Sequence, residues 1–125
     1  MTMMRIGVIL GAMALAATST GAFAAGDAAK GKTVFARCMA CHKTVAGQNG
    51  LGPSMAGIVG RKAATVAGFN YSPAMKGSGL TWTTANLDAY LTKPTAKVPG
   101  TRMIFMGIPK PEDRENLIAY LATLK

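Results

Sequence analysis

The sequence predicts an all-α protein with long loops, and three observations support this class. Apolar residues recur at spacings of three and four in three separate stretches, as they do along one face of a helix. No stretch shows the alternation of a half-buried β-strand, and no internal repeat is visible. The chain has 125 residues, the length of one domain. We therefore expect one domain built from short helices.

The amino terminus is predicted to be a signal peptide. Arg5 precedes an unbroken run of small apolar residues, 6–17, and residues 22–24 have the A-x-A form that a signal peptidase accepts. Cleavage after this tripeptide gives a signal peptide, residues 1–24, and a mature domain, residues 25–125. An uncleaved membrane anchor is the alternative, because residues 6–25 are just long enough to cross a bilayer, although residues 18–21 interrupt the apolar run.

Export and charge limit the function. The leader predicts transport across the inner membrane into the periplasm, where a pair of cysteines often oxidises. One of the 14 basic residues lies in the leader, so 13 remain against five acids and the mature net charge is +8. This charge predicts an anionic partner. We expect no nucleic acid, because export removes the opportunity to bind it.

The first helix is predicted over residues 28–38, AAKGKTVFARC. Asp27 is a suitable N-cap, because its carboxylate can accept hydrogen bonds from the first N–H groups of the helix. Four residues share one apolar stripe. They are Gly31, Val34, Phe35 and Cys38.

Two further helices are predicted in the second half of the chain. Residues 83–93 begin with a threonine cap and end before Pro94, which cannot continue the helix. Their apolar face carries Leu87, Tyr90 and Leu91. Residues 111–125 begin with proline, carry three acids in their first turns and end in lysine, as the helix dipole favours. Their apolar face carries Leu117, Tyr120, Leu121 and Leu124.

The connection between the first two helices is unusually long. Residues 43–82 contain eight glycines and few large apolar groups. A compact domain rarely tolerates so long a loop, and a mature chain of about 100 residues has a thin core. A large planar cofactor at the centre would account for both features. Phe69, Tyr71 and Trp82 favour order over disorder in this segment.

The octapeptide RCMACHKT contains both cysteines and the single histidine of the chain. Cys38, Cys41 and His42 form C-x-x-C-H, the attachment pattern of c-type haem. Each thiol can add to a vinyl group of the porphyrin, and the adjacent imidazole can bind the iron. A redox dithiol needs a βαβ context, and zinc needs further Cys or His ligands, which the chain lacks. A structural disulfide stays possible from the spacing, but it leaves the histidine without a role.

A second iron ligand must come from elsewhere, because the chain has one histidine. Methionine is the candidate residue type. Met103 follows the dipeptide Pro99-Gly100, a turn that can stiffen the loop and direct a thioether toward the iron.

At this point the sequence resembles a known family. PGTRMIFMGI resembles the axial-methionine loop of class I cytochromes c, and GPSMAGIVGRK, GFNY, GLTW and ENLIAYL match blocks of that family in the same order. The resemblance covers residues 26–125 and is strongest to mitochondrial cytochrome c and bacterial cytochrome c2. It implies the class I cytochrome c fold, in which three to five short helices and long loops surround one covalently bound haem. Residues 25–125 would be a monohaem cytochrome c domain.

The resemblance implies the residues that bind the haem. Cys38 and Cys41 would attach it covalently as haem c, and His42 and Met103 would be the axial ligands of the iron. Pro53 would accept a hydrogen bond from the proximal imidazole through its carbonyl group, which would fix the ring.

Five more residues would contact the haem by the same resemblance. Arg61, Tyr71 and Trp82 would hold the inner propionate. The hydroxyl of Tyr90 would approach the methionine sulfur, and Thr101 would lie near the other propionate.

The sequence departs from the family at three places. Met75 replaces a frequent polar residue near the propionates, which should dry the distal side. Met106 stands where the family usually has a small residue; it is a rival ligand, but we expect it to pack against the protein. Thr95 and Ala96 replace two docking lysines of the mitochondrial proteins. Other basic residues would then form the docking rim. They are Arg37, Lys97, Arg102 and Lys110, with Lys32 and Lys43 as further candidates.

The resemblance implies an electron carrier and not an enzyme. The mature protein would be a soluble periplasmic monomer without stable membrane insertion. It would carry single electrons from a quinol–cytochrome c reductase or a dehydrogenase to a terminal oxidase or a photosynthetic reaction centre. Acidic redox proteins would dock on its basic rim.

Two other classes remain open from the sequence. A small haem peroxidase or gas-binding protein would need Met103 to be absent or labile. A fixed electron-transfer module would be tethered by an uncleaved leader or docked permanently to one dehydrogenase.

Overall fold

The fold is all-α, as predicted. The computed structural model describes residues 11–12 and 26–125, so the signal-peptide prediction lies, apart from residues 11–12, outside the described residues. Five helices are present in this part: α1 (Ala28–Phe35), α2 (Pro73–Lys76), α3 (Thr84–Thr92), α4 (Pro94–Lys97) and α5 (Pro111–Leu121). Within the described residues, strand-like pairing is limited to one isolated bridge between Lys62 and Thr81. None of the five helices has the length and apolar character needed to span a membrane.

Helix α1 begins where the sequence predicts and ends earlier. Asp27 caps it by accepting hydrogen bonds from the N–H groups of Ala29 and Lys30, at 2.9 and 3.2 Å. After Phe35 the chain tightens into turns, in which the N–H of Cys38 bonds to the Phe35 carbonyl at 2.7 Å. This three-residue spacing replaces the four-residue spacing of an α-helix. The predicted helical end at residue 38 is therefore wrong, and the cysteines lie in the turns that follow α1.

Helices α1 and α5 cross at close range. A Cβ atom on Gly31 would overlap the backbone carbonyl of Asn116, so the two helix backbones touch there. The rings of Phe35 and Tyr120 pack with centroids 5.3 Å apart. Asn116 also accepts a hydrogen bond from the N–H of Asp27 at 2.8 Å. This crossing joins the two ends of the domain.

The short helices α2 and α4 were not among the three predicted from periodicity. Each is a single turn that starts with proline, a residue suited to the first helical position. The hydroxyl of Ser72 caps α2 by accepting from the N–H of Met75 at 3.1 Å. Helix α3 is capped by Thr83 and ends at Thr92, before Pro94 starts α4.

The long connection, residues 43–82, is held by its own polar contacts. Asn49 accepts a hydrogen bond from the N–H of Ser54 at 3.0 Å and donates to the carbonyl of Ala67 at 3.1 Å. The buried hydroxyl of Ser54 donates to the carbonyl of Val45 at 2.8 Å. These bonds tie distant parts of the loop together and give it a defined path around the centre.

Candidate cofactor site

A cavity of about 590 Å³ lies at the centre of the described fold. This volume falls within the usual range of about 300–1,000 Å³ for ligand and cofactor pockets. The helices contribute mainly apolar walls. They are Phe35, Leu87, Leu91, Leu117 and Leu121. The apolar stripes predicted from the sequence thus face both one another and this cavity. The loops form the rest of the cavity wall.

Both cysteines line this cavity, and no disulfide joins them. Cys38 is partly buried, while Cys41 is exposed. Burial raises the pKa of the Cys38 thiol, the charge of Arg37 opposes this rise, and Cys41 adds to it. The turns after α1 bring both thiols to the cavity together with the ring of His42.

The imidazole of His42 is held by a backbone carbonyl. Its Nδ1 lies 2.8 Å from the carbonyl oxygen of Pro53. Because a carbonyl can only accept, Nδ1 carries the proton and the lone pair of Nε2 is available to bind a metal. Burial lowers the pKa of the imidazole; the Pro53 carbonyl opposes this shift, and the charge of Arg61 adds to it. A Cβ atom on Gly52 would come within 2.7 Å of Nδ1, so glycine makes room for the ring.

Met103 lines the cavity and Met106 does not. The side chain of Met106 is 94% exposed, so the expectation that it packs against the protein is wrong. Residues 101–106 alternate between partly buried and exposed: Met103 and Phe105 are partly buried, whereas Ile104 and Met106 are exposed, and of these two only Ile104 also lines the cavity. A spacing of three residues places two methionines on opposite sides of such an extended segment.

Tyr90 and Thr101 both line the cavity and bond to each other. Their hydroxyl oxygens lie 2.7 Å apart. The Thr101 hydroxyl also accepts a hydrogen bond from the N–H of Met103 at 3.4 Å. Burial raises the pKa of Tyr90, and the bond to Thr101 opposes this rise. The pair connects α3 to the backbone of Met103.

Arg61, Tyr71 and Trp82 lie together in the cavity wall. The guanidinium of Arg61 donates to the carbonyls of Ala56 at 2.9 Å and Ser54 at 3.1 Å. Burial lowers its pKa, and Tyr71 opposes this shift. Within the described residues the one ion pair lies elsewhere, so no carboxylate of the described chain neutralises Arg61. Its charge is available to an acidic group in the cavity.

Of the four residues proposed for the basic rim, two line the cavity. Arg37 and Arg102 contribute to its wall, and both are exposed to solvent. Lys97 and Lys110 do not line it.

The sequence analysis missed an ion pair beside this site. The Nε of Arg114 lies 2.7 Å from Oδ1 of Asp88, and the Arg114 residue is only 9% exposed. A signal was present, because Arg114 precedes Leu117 and Leu121 by three and seven residues and so lies on the apolar face of α5. Charged residues are rarely buried without a partner, so a cation on this face predicts a buried acid nearby.

The residues around the cavity fit a covalently bound haem. Two thiols, an imidazole with a free lone pair and a thioether meet in one largely apolar cavity, beside an arginine that pairs with no carboxylate of the described residues. Thiol and imidazole are the attachment and ligand groups of c-type haem, and thioether is a common second ligand. The fold and the site thus define a small c-type haem protein.

Comparisons with known proteins give the family. A family model described as cytochrome c matches residues 28–125. The cytochrome c2 of Rhodomicrobium vannielii is 52% identical over 106 residues, which cover 84% of this chain and 85% of that protein. The cytochrome c2 of Rhodoblastus acidophilus is 51% identical over 102 residues, which cover 81% of this chain and 95% of that protein. The solved structure of cytochrome cH from Methylobacterium extorquens superposes with a TM-score of 0.74 at 48% identity, covering 78% of this chain and 99% of that one.

The chain belongs to the cytochrome c family and resembles cytochrome c2. It binds haem c, and Cys38 and Cys41 fit the attachment motif. Its function is electron transport rather than enzymatic catalysis.

Proposed function

We propose that the mature protein is a periplasmic carrier that moves single electrons between two larger redox complexes. The donor is a quinol–cytochrome c reductase or a dehydrogenase, and the acceptor is a terminal oxidase or a photosynthetic reaction centre. One observation carries the proposal. His42 and Met103 line the same cavity as the two attachment cysteines, so both axial positions of the iron can be filled by the protein.

His42 Nε2 and the Met103 sulfur are the proposed axial ligands. The bond from Nδ1 to the Pro53 carbonyl supports the first assignment, because it fixes the tautomer that leaves Nε2 free. Haem supplies one-electron chemistry when bound, and a thioether ligand in an apolar pocket raises its potential. Two protein ligands leave no open position for a substrate, which favours transport over catalysis.

The other polar residues of the wall are proposed to contact the haem edge. Arg61, Tyr71 and Trp82 would hold one propionate, supported by the lack of any protein carboxylate beside Arg61 in the described part. Tyr90 and Thr101 would lie on the methionine side, supported by their bond to each other and by the bond from Met103 to Thr101.

Docking is proposed to use a basic rim against an acidic partner. Arg37 and Arg102 are exposed at the cavity wall, and Lys97 and Lys110 would extend the rim. Opposite charges accelerate encounter and lose this effect as salt screens them. Electron-transfer rates to an acidic redox partner should therefore fall as ionic strength rises. Rates that stay constant from low to high salt would contradict the docking proposal.

Periplasmic location rests on the leader. Residues 22–24 have the cleavage pattern, and removal of residues 1–24 would release a soluble, monomeric domain. The intact mass of exported protein tests this directly. A mass that still includes residues 1–24 would favour a tethered module.

The ligand assignment is tested by the optical spectrum of the exported holoprotein and of Met103→Ala. We expect sharp low-spin bands in the reduced protein, and in the ferric protein a weak far-red sulfur-to-iron band that Met103→Ala lacks. Met106→Ala is the matched control, because it removes a thioether three residues away that is 94% exposed, and it should keep the band.

Two results would contradict the assignment. If Met103→Ala keeps the band, another methionine is the ligand. If the wild type lacks the band and its ferrous form binds carbon monoxide rapidly, the iron has an open position and a peroxidase or gas-binding function is favoured.

A further inference from the structure

The segment that carries Met103 has few bonds of its own. We call residues 101–109 the ligand segment. Between Arg102 and Gly107, within the described structure, the backbone makes one hydrogen bond, from the N–H of Met103 to the Thr101 hydroxyl. The position of the segment therefore depends on how its two ends are held.

The first end is held by Thr101. Its N–H donates to the Val98 carbonyl at 3.0 Å, and its hydroxyl lies 2.7 Å from that of Tyr90. Val98 is buried, and Tyr90 belongs to α3. This end is therefore attached to α3 and to the residue that follows α4.

The second end is held by Ile108, which is fully buried. Its N–H donates to the carbonyl of Leu91 at 2.8 Å. Gly107 has a φ of 104°, and a Cβ atom there would overlap the carbonyl of Thr92. This end of the segment is thus hydrogen-bonded to, and packed against, the last residues of α3.

Arg114 joins this second end to two helices. From α5 its Nε pairs with Oδ1 of Asp88 on α3 at 2.7 Å. The Nη1 of Arg114 donates to the carbonyls of Ile108 at 2.8 Å and Pro109 at 3.1 Å. A planar guanidinium can make these divergent bonds at once, whereas a lysine ammonium is a single point charge on a flexible stem.

We propose that Arg114 is a positioning residue for Met103, through which α5 and α3 fix the ligand segment and keep the sulfur on the iron. The inference rests on the proposed ligation by Met103. With Arg114 removed, the partly buried carboxylate of Asp88 and the two carbonyls lose this donor, which weakens the second end while the cavity wall is unchanged. The segment then opens more often, and the sulfur leaves the iron more often.

The fraction of open segment can be measured with added imidazole. Imidazole binds the ferric holoprotein only where the methionine sulfur has left, so its apparent dissociation constant is inversely proportional to the open fraction. We expect Arg114→Met to lower that constant about tenfold or more, since bonds to a charged group are lost. Arg114→Lys keeps the positive charge but lacks the several N–H donors of the planar guanidinium. Its dissociation constant for imidazole should therefore lie between those of Arg114→Met and the wild type.

Asn116→Ala is the matched control on the same helix. It removes the bond to the Asp27 N–H, which is unrelated to the ligand segment, and it should lower the melting temperature without changing imidazole affinity. The proposal would be overturned if the wild type and both Arg114 variants bound imidazole with equal affinity. It would also be overturned if Asn116→Ala increased the affinity for imidazole as much as Arg114→Lys does. Because Arg114→Lys keeps the buried charge paired, it tests the proposal even if Arg114→Met does not fold.

The far-red band of the wild type tests ligation by Met103 separately from the role of Arg114. If the band is absent in the wild type, ligation by Met103 fails and this proposal fails with it. If the band is present and imidazole affinity does not respond to Arg114, only the role of Arg114 is refuted.

Discussion

Gly31 at the α1–α5 crossing has no room for a larger side chain. A Cβ atom there would overlap the carbonyl of Asn116 and come within 2.8 Å of the Cβ of Tyr120, both on α5. Gly31→Ala should therefore force the two helices apart and lower the free energy of unfolding by about 1–3 kcal/mol. Urea unfolding of the holoprotein, followed by far-ultraviolet circular dichroism, measures this loss. Lys30→Ala changes an exposed neighbour in the same helix and should stay within about 0.5 kcal/mol of wild type.

The methionines differ strongly in exposure. Met106 is 94% exposed and Met39 is 60% exposed, whereas Met55 and Met103 pack against the buried core. Oxidation of a thioether to the sulfoxide by peroxide follows access to the sulfur. Limiting hydrogen peroxide should modify Met106 first, then Met39, with Met55 and Met103 last. Peptide mapping by mass spectrometry gives the order, and early oxidation of Met103 would show that the ligand segment is open.

At this scale the sequence predicts residue types better than it predicts which way a side chain faces. Every site residue carried over from the family lies in the cavity wall or contacts a residue there, because attachment chemistry and block order constrain them together. Met106 was misjudged because its exposure depends on the local backbone being extended, which the sequence does not give. The burial of Arg114 was missed although the helical spacing indicated it, because its partner Asp88 lies on another helix.

Among the elements, α1 depends most clearly on a single cap. The carboxylate of Asp27 accepts from two N–H groups of the first turn, which have no other partner within the helix. Asp27→Ala should lower the stability by about 0.5–2 kcal/mol, and Asp27→Asn should recover most of it because an amide oxygen can also accept. Urea unfolding measures the difference. If the alanine variant equals wild type, the cap contributes nothing to the folded protein.

The three longest helices were predicted because each has an apolar stripe and a start signal. The helices that were not predicted are one turn long and too short to show periodicity. The early end of α1 also could not be predicted, because its stripe continues to Cys38. After Phe35 the backbone changes to three-residue bonds, and both thiols in these turns line the one cavity.

For the whole molecule, the central cavity predicts that folding depends on haem attachment. Without the haem, the apolar side chains that line this cavity of about 590 Å³ lose the group against which they pack, and the stability of a typical domain is only about 5–15 kcal/mol. A double variant, Cys38→Ser with Cys41→Ser, should therefore lose most of its helical signal. Far-ultraviolet circular dichroism compares it with the holoprotein. A cooperative unfolding transition in the haem-free variant would contradict this dependence.

The long connection explains why the cofactor could be inferred before the fold was seen. Forty residues with eight glycines cannot fill the centre of a domain with side chains. The polar contacts of Asn49 and Ser54, which order this loop, could not be predicted, because both residue types are common in disordered loops as well.

The alternation within the ligand segment also bears on how the protein can change over time. Arg102 and Ile104 are exposed but still line the cavity, whereas Met106 is 94% exposed and does not line it. Mutations at Met106 can therefore accumulate without disturbing the cavity. The surface that meets a partner can therefore diverge while the redox centre is conserved, so one scaffold can acquire new electron donors and acceptors.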